Sequence, residues 1–406
     1  MRMARCLITR LEGVVNDASL LKLGELRFSV SKIAEPTADT QKMMIQFTAA
    51  QTLSIVGDGY FTDATLAENR GKNLNCPANT LVTYYLSNGD YEVSIPDKYT
   101  LWRFDVAGVN NISKKHLHLD TLGCLKWCTA LQYLNLNHAD VSGTLEDLEF
   151  ASKLTHVALS DTDVTGDIAV LAMKTNLENF YAAETPVGGS IAVFKNLPNM
   201  RNISFKSNKE ITGDISAFSG LTGLFNISIA DTSVTGSLKS LAGLTKLIGL
   251  NLSGSRITGN LNSLSSLTSL SNIYLSESDV TGDISVFADL PNMTYMSLKA
   301  TNKITGDLSL LPEKMFFVTT QNGTPSFTWE HERPASARIM AMEDISLGEY
   351  LDAMLINQAK CVKYFGGDNI WYKRIQANGT RTSASDAAVA KLKELGYVVR
   401  INGVNI

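Results

Sequence analysis

The stretch Ser160–Ile168 reads SDTDVTGDI, and five of its letters, VTGDI, return intact at Val280–Ile284. A glycine followed by an aspartate can mark a loop with chemistry in it, such as a metal or phosphate cradle, or a structural device that is copied. Spacing decides between the two. The same glycine stands at Gly143, Gly166, Gly189, Gly213, Gly236, Gly259, Gly282 and Gly306, at intervals of 23, 23, 24, 23, 23, 23 and 24 residues. Near-equal intervals over eight units are the signature of a repeat architecture, in which each unit buries its apolar side against the next.

Upstream of each glycine lies an apolar pattern: Leu131, Leu134, Leu136 and Val141, then Leu154, Val157, Leu159 and Val164, and later Leu247, Leu250, Leu252 and Ile257. Alternation at Val157 and Leu159 predicts a short strand with one buried face, and successive units would stack these strands in parallel about 4.8 Å apart. If Val164 and Ile168 point into the core, the same alternation turns Gly166 inward and Thr165 and Asp167 outward. The glycine is then expected to save space in a narrow coil. Thr165, Thr212, Thr235, Thr258, Thr281 and Thr305 would form one outward ladder. Asp167, Ser190, Asp214, Ser237, Asn260, Asp283 and Asp307 would form a second, polar one. Asp283 and Asp307 are adjacent rungs that could share a cation, but Ser and Asn elsewhere in the column favour plain solvated carboxylates.

These residues resemble the leucine-rich repeat, LxxLxLxxNxL, and the TGDI element is similar to the LxGxI segment of its plant-type subclass. The resemblance covers residues 101 to 320, with LWRFDVAGVNNI (Leu101, Phe104, Val106, Ile112) as an earlier, irregular repeat. The chain departs from the family at the ladder position, usually Asn, which here holds Ala139, Thr162, Thr185, Asn208, Thr232, Ser255, Ser278 and Thr301. Hydroxyls make similar but weaker local bonds. The implied fold is an α/β, mostly β, solenoid of leucine-rich repeats, preceded by a small all-β sandwich and closed by a βαβ cap.

Both ends read as separate parts. Residues 1–40 hold two alternating apolar stretches, CLITRLEGVV and GELRFSVSKI, expected as a strand element and anchor. Residues 41–100 are strand and turn throughout, with Asn88-Gly89 as a hairpin signal, and resemble the PKD-like, immunoglobulin-like sandwich that precedes leucine-rich repeats in proteins of gut bacteria and their tailed phages. IVGDG (Ile55 to Gly59) carries part of that likeness. In residues 321–406, Ser346 and Glu349 give a capping-box pattern, with Leu347, Tyr350, Leu351, Met354, Leu355 and Val362 on one helical face. Strand NIWYKRIQ, a turn at Asn378-Gly379, a helix ended by Gly396 and strand YVVRIN complete the cap.

Composition excludes little. The chain has 406 residues, is 44% hydrophobic and 19% charged, and carries a net charge of -4, which supplies no electrostatic reason for a nucleic-acid or anionic-membrane partner. No apolar run reaches the ~18 residues of a membrane span, and Arg10 and Glu12 break the early run before it could serve as a signal-peptide core. Cys6, Cys76, Cys124, Cys128 and Cys361 are scattered and odd in number, which indicates neither a disulfide framework nor a zinc site and fits folding in a reducing cytoplasm.

No GxSxG, HExxH, Walker or dinucleotide motif is present, and no catalytic residue or cofactor is assigned. His116, His118 and Asp120 alternate in KKHLHLD, which reads as a polar face in preference to a metal site. Trp102, Trp329 and Trp371 read as core or interface. The outward strand positions are the better candidates for ligand contact: Tyr133, His156, Tyr181, Asn202, Asn226, Asn251, Tyr274 and Tyr295, with Asn135, Asn179 and Asn272 among them. Asp161, Glu184, Asp231 and Glu277 flank them as an acidic rim. Tyr, Asn and small residues are the adaptable composition of binding surfaces.

The order of parts and the openings CLITRLEGVV and LLKLGELRF resemble virion proteins of tailed phages infecting gut bacteria. That resemblance implies a non-enzymatic fibre, spike or decorating protein, located on the virion and homo-oligomeric. It would join other virion proteins through its N-terminal region and present the repeats to a host surface protein or glycan. A bacterial surface or secreted adhesin is the alternative. A virion glycan hydrolase is a third reading, with Asp161 and Glu184 the only loosely paired carboxylates on neighbouring strands.

Overall fold

The computed structural model describes residues 26–30, 40–57, 61–63, 70–71, 73–87, 91–105, 117–119, 121–301, 303–320, 327–362 and 373–406. They fall into two compact units, Met1–Thr212 and Gly213–Ile406.

The first unit opens with eight strands in two layers: β1 (Leu26–Val30), β2 (Thr40–Phe47), β3 (Gln51–Gly57), β4 (Phe61–Asp63), β5 (Arg70–Gly71), β6 (Asn73–Cys76), β7 (Val82–Ser87) and β8 (Tyr91–Ile95). One layer runs β1–β8–β3–β6 and the other β2–β7–β4–β5, all antiparallel. Met43, Ile45, Phe47, Leu53 and Ile55 are buried at alternate positions, as period-two strands require, and Val93 and Ile95 are buried with Ser94 between them. Two expectations change here. Leu26–Val30 is a strand of this domain, bonded along its whole length to β8, so a boundary at residue 40 cuts through one layer. Asn88-Gly89 lies outside the described residues, but the strands on either side of it belong to different layers and do not form a two-stranded hairpin.

Both layers continue into the repeats. β9 (Leu101–Asp105) pairs antiparallel with β2 on one edge and parallel with β11 (Tyr133–Asn135) on the other. β10 (Leu117–Leu119) pairs antiparallel with β1 and parallel with β12 (Asp140–Val141). From β11 the sheet proceeds in parallel through β13 (His156–Ala158), β14 (Asn179–Tyr181) and, after the two-residue β15 (Gly189–Ser190), β16 (Asn202–Ser204).

The repeats share an anatomy: a three-residue strand, a tight turn, an extended segment carrying the motif glycine, which in most coils forms a second short strand, and a 3-10 helix that leads back. The aspartates of the opening motif begin that helix. Asp167 Oδ1 accepts from the backbone N–H of Ala169 at 2.8 Å, Ser190 caps Ala192, Asp214 caps Ser216, Ser237 caps Lys239, Asn260 caps Asn262 and Asp283 caps Ser285. Asp, Ser and Asn are interchangeable here because each offers a short oxygen acceptor to an orphan helix N–H. Glycine precedes the cap for a reason other than space in the core. Gly166 has φ +108°, and a Cβ on it would meet Glu146 Oε2 at 2.5 Å and the Leu145 backbone N at 2.9 Å. It faces the preceding coil, not the interior. The threonines beside it are outward, as expected, and bond back one coil: Thr165 Oγ1 donates to the Gly143 carbonyl at 3.1 Å and Thr258 Oγ1 to that of Gly236 at 3.2 Å.

At the position where the family places Asn, the hydroxyls are buried and act within their own loops. Thr162, Thr232, Ser255 and Thr301 donate to the carbonyl three residues earlier at 2.6–2.7 Å. Asn208 does what the family residue does, donating to the Ala182 carbonyl at 2.7 Å and accepting from Thr185 N at 3.1 Å.

In the second unit the parallel sheet runs through Asn226–Ser228, Gly249–Asn251, Asn272–Tyr274, Tyr295–Ser297 and Phe317–Thr319. It continues into Ala341–Gly348, Arg374–Gly379 and Val398–Ile401, with two register shifts between the first two of these strands and with Val404–Asn405 folded back antiparallel on the edge. True helices α1 (Leu351–Gln358) and α2 (Asp386–Glu394) replace the 3-10 helices here. The Asp352 carboxylate ties them, accepting from Thr382 N at 2.9 Å, Thr382 Oγ1 and Ser385 Oγ. The capping-box reading fails: Ser346 and Leu347 lie in the strand, α1 starts at Leu351 with no side-chain cap, and Val362 is half exposed. Pairing with Arg374–Gly379, in which Ser346 stands opposite Asn378 and Gly348 opposite Gly379, overrides the local helix signal. Gly396 ends α2 with φ +86°, as read.

Candidate ligand-binding face

Strand alternation places two columns of side chains on the outer face of each sheet. In the first unit one column is Arg103, Tyr133, His156, Asn179 and Asn202, and the other is Asp105, Asn135, Ala158, Tyr181 and Ser204. The centre of each strand (Phe104, Leu134, Val157, Phe180, Ile203) is buried. The three predicted ring residues come together. Tyr133 and His156 stack with centroids 4.1 Å apart and planes 7° from parallel, and Tyr181 leans on His156 at 5.6 Å. Asn202 Nδ2 donates to Asn179 Oδ1 at 2.6 Å, extending the row.

Arg103 closes the row at its start. Its guanidinium carbon sits 3.5 Å from the Tyr133 ring centroid, and Nη2 is 2.7 Å from Asp105 Oδ2. This is a cation–π contact with its charge balanced alongside. Burial, reinforced by Arg103 and opposed by Asp105, pushes the His156 pKa down to about 4, so the imidazole is neutral at pH 7. Burial and the Asp105 charge raise the Tyr133 phenol, and burial raises that of Tyr181. The row presents neutral hydrogen-bonding tips, and its ring faces are covered by one another.

The second unit repeats the idea with other residues. Tyr274 and Tyr295 lie 4.8 Å apart at 33°, and Tyr295 stacks on Phe317 at 4.7 Å and 11°. Asn226, Asn251 and Asn272 stand on the preceding strands, with Asn226 Oδ1 occupying the space a Cβ on Gly249 would take. Arg103, Asp105 and Phe317 were absent from the sequence-based set. Leu101 and Phe104 were the signal for the first two, since they mark the register of the irregular first repeat.

The acidic rim is a turn position. Asp161, Glu184, Asp231 and Glu277 all have positive φ, between 54° and 60°, and share their place in the coil with His138, Ser207, Gly254 and Ala300. Their backbone N–H groups prolong the sheet ladder, as in Asp161 N to Ala183 O at 2.9 Å and Glu184 N to Lys206 O at 2.8 Å. Their carboxylates face neighbouring coils: Asp161 Oδ2 is 3.1 Å from His138 Nδ1, and Glu184 is 3.6 Å from Lys206 Nζ. Asp161 and Glu184 are thus each engaged by a side-chain nitrogen of an adjacent coil. Asp283 and Asp307 are likewise engaged. Asp307 caps Ser309 and meets His331 Nδ1 at 2.7 Å; burial alone would raise its pKa, and the bonds from Ser309, His331 and Glu330 hold it below the usual range. Among the described residues no three His, Cys, Asp or Glu side chains converge as a metal site, and no helix is long and apolar enough to cross a membrane. Trp329 is buried. His116, Asp120 and Trp371 lie outside the described residues, as does the side chain of His118.

No family model and no curated protein sequence matches the chain. Solved structures do. The Arabidopsis receptor kinase HAESA, in complex with the peptide hormone IDA and the co-receptor SERK1, matches at a TM-score of 0.51 and 20% identity over 65% of this chain and 45% of that one. The plant peptide hormone receptor RGFR1, in complex with RGF2, matches at 0.50 and 17% over 69% of this chain and 45% of that one. A leucine-rich-repeat protein of Leptospira interrogans matches at 0.48 and 16% over 69% and 74%. The chain thus spans less than half of each plant receptor, and at these identities the likeness establishes the leucine-rich-repeat fold alone.

Proposed function

We propose that the chain is a non-enzymatic binding scaffold, with the outer faces of its parallel sheets holding a protein partner. The observation that carries this is the Arg103–Tyr133–His156–Tyr181 row: four large side chains in mutual contact, half-buried, with the one charge among them matched by Asp105. Pre-ordered aromatic groups bind with little further loss of side-chain entropy. The plant receptors of the same fold were solved with peptide hormones, which supports a polypeptide partner here.

The finer reading is a virion protein of a tailed phage, a fibre, spike or decorating protein in several copies, whose repeats meet a host surface. Its support is the resemblance of the openings CLITRLEGVV and LLKLGELRF, and the PKD-like composition of residues 41–100 before the repeats. Mass spectrometry of density-purified particles tests it: the chain is expected at a fixed multiple of the portal copy number, and its absence overturns the virion assignment. Labelled full-length protein is expected to bind intact host cells saturably, with Tyr133→Ala and Tyr295→Ala each weakening binding at least ~10-fold.

A further inference from the structure

β9 has two neighbours. On one edge Arg103 and Asp105 stand opposite Tyr133 and Asn135; on the other they stand opposite Gln46 and Met44 of β2. Directly opposed residues of neighbouring strands project to the same face. The outer columns of the repeats therefore continue onto the N-terminal domain, as Gln46–Arg103–Tyr133–His156 and Met44–Asp105–Asn135–Ala158. One strand farther, Thr83 of β7 stands opposite Met44. The inner column is equally continuous, with Ile45, Phe104, Leu134 and Val157 all buried. Gln46, Met44 and Thr83 are half exposed, like the ring residues they extend.

We propose that the ligand-binding face of the first unit does not stop at the first repeat but crosses β9 onto β2 and β7, so that Gln46 and Thr83 touch the partner and Arg103 positions the rings at the seam. The inference rests on the reading of the outer sheet face as ligand-binding. It gives the N-terminal domain a part in recognition beyond attachment. The chemistry of the face selects its occupant. Arg103 has its charge matched by Asp105 and its plane covered by Tyr133, so an anionic group finds no free cation there. The faces of Tyr133 and His156 are turned to each other, so a sugar ring has no open aromatic face between them to stack on. What remains is a row of amide, phenol and imidazole edges, which suits an uncharged, polar stretch of polypeptide that both donates and accepts hydrogen bonds.

The test uses the full-length chain and a random twelve-residue peptide library selected on it, with an array of neutral glycans run in parallel. Enriched peptides are titrated against wild type, Gln46→Lys, Thr83→Lys, Arg103→Lys, His156→Ala and, as a remote control, Lys195→Glu, each first shown to melt as wild type does. Gln46→Lys and Thr83→Lys are expected to weaken binding at least ~10-fold, as His156→Ala does, with Lys195→Glu unchanged. Arg103→Lys keeps the charge but not the flat contact, and is expected to weaken binding while shifting the ring proton resonances of His156. If His156→Ala weakens binding and both lysine variants on β2 and β7 do not, the extension is overturned and the repeat face stands. No enrichment, or indifference to all three, overturns both. Binding of a glycan with the same mutational pattern overturns the polypeptide assignment. Unmoved His156 resonances in Arg103→Lys overturn the positioning role.

Discussion

The guanidinium of Arg103 covers one face of the Tyr133 ring at 3.5 Å, and His156 covers the other at 4.1 Å. Arg103 comes from the strand shared with the N-terminal domain, so the state of the histidine depends on a residue two strands away. Burial is the main cause of the low His156 pKa and persists in Arg103→Ala, but that variant is expected to raise the pKa above about 4, because the cation that disfavours protonation is gone and Asp105 is left unopposed. The same change strands the nearly buried Asp105 carboxylate and should destabilise the protein by about 2 kcal/mol. NMR titration of the His156 ring and urea unfolding check the two effects. A pKa still near 4 in Arg103→Ala would remove the guanidinium from the account.

His156 also makes stability depend on pH. Its folded pKa, about 4, lies below its unfolded value of 6.5, so the unfolded chain takes the proton first and stability falls as pH drops from 6.5 towards 4. Above pH 6.5 this contribution is complete; at pH 5 about 2 kcal/mol of it should be lost. His156→Phe retains a ring against Tyr133 and removes the titration. Urea midpoints at pH 7.5 and 5 should converge in that variant and separate in wild type, and an equal pH dependence in both would assign the effect to other groups.

The cap column gives a prediction about chemistry as well as stability. Asp214 and Asp283 each accept a helix N–H at 2.8 Å, so Asp→Ala at either should cost about 1 kcal/mol, while Asp→Ser should cost a few tenths. Calcium or EDTA should leave the melting temperature where it is. A calcium-dependent rise that disappears in Asp283→Ala would restore the metal reading of this ladder.

Much of this was legible, for a definite reason. Period and alternation carry the buried columns, so Val157, Leu250 and Ile257 could be placed from spacing alone, and with them Tyr133, His156 and Tyr181 on the outer face. Arg103 was hidden because the first repeat is irregular: Phe104 and Leu134 are partners in adjacent strands but lie 30 residues apart, not 23. The left-handed backbone of the rim carboxylates was not legible, because a strand pattern contains no sign of the positive φ that follows it. Ser346 and Glu349 satisfied a local helix rule, yet Ile345, Ser346 and Gly348 pair with Arg374–Gly379, and that pairing outweighed it. Local signals lose wherever a neighbouring coil offers a ready edge.

The glycine of the opening motif separates conformation from volume. Gly166 combines φ +108° with a backbone nitrogen 2.9 Å from where a Cβ would stand, so an alanine there is strained in its own dihedrals and collides with atoms that cannot swing aside. Gly220 has nothing within 4 Å of the equivalent point and no positive φ. Gly166→Ala should therefore lose about 3 kcal/mol, whereas Gly220→Ala should lie within ~0.5 kcal/mol of wild type or gain slightly through the unfolded chain. Replacing Glu146 with alanine removes only the flexible part of the crowding at Gly166, since the carboxylate can leave and the Leu145 backbone cannot. Combining it with Gly166→Ala should recover less than half of the loss. Full recovery in that double variant, measured by equilibrium unfolding, would show that the glycine serves the side chain beside it and not the backbone geometry of the coil.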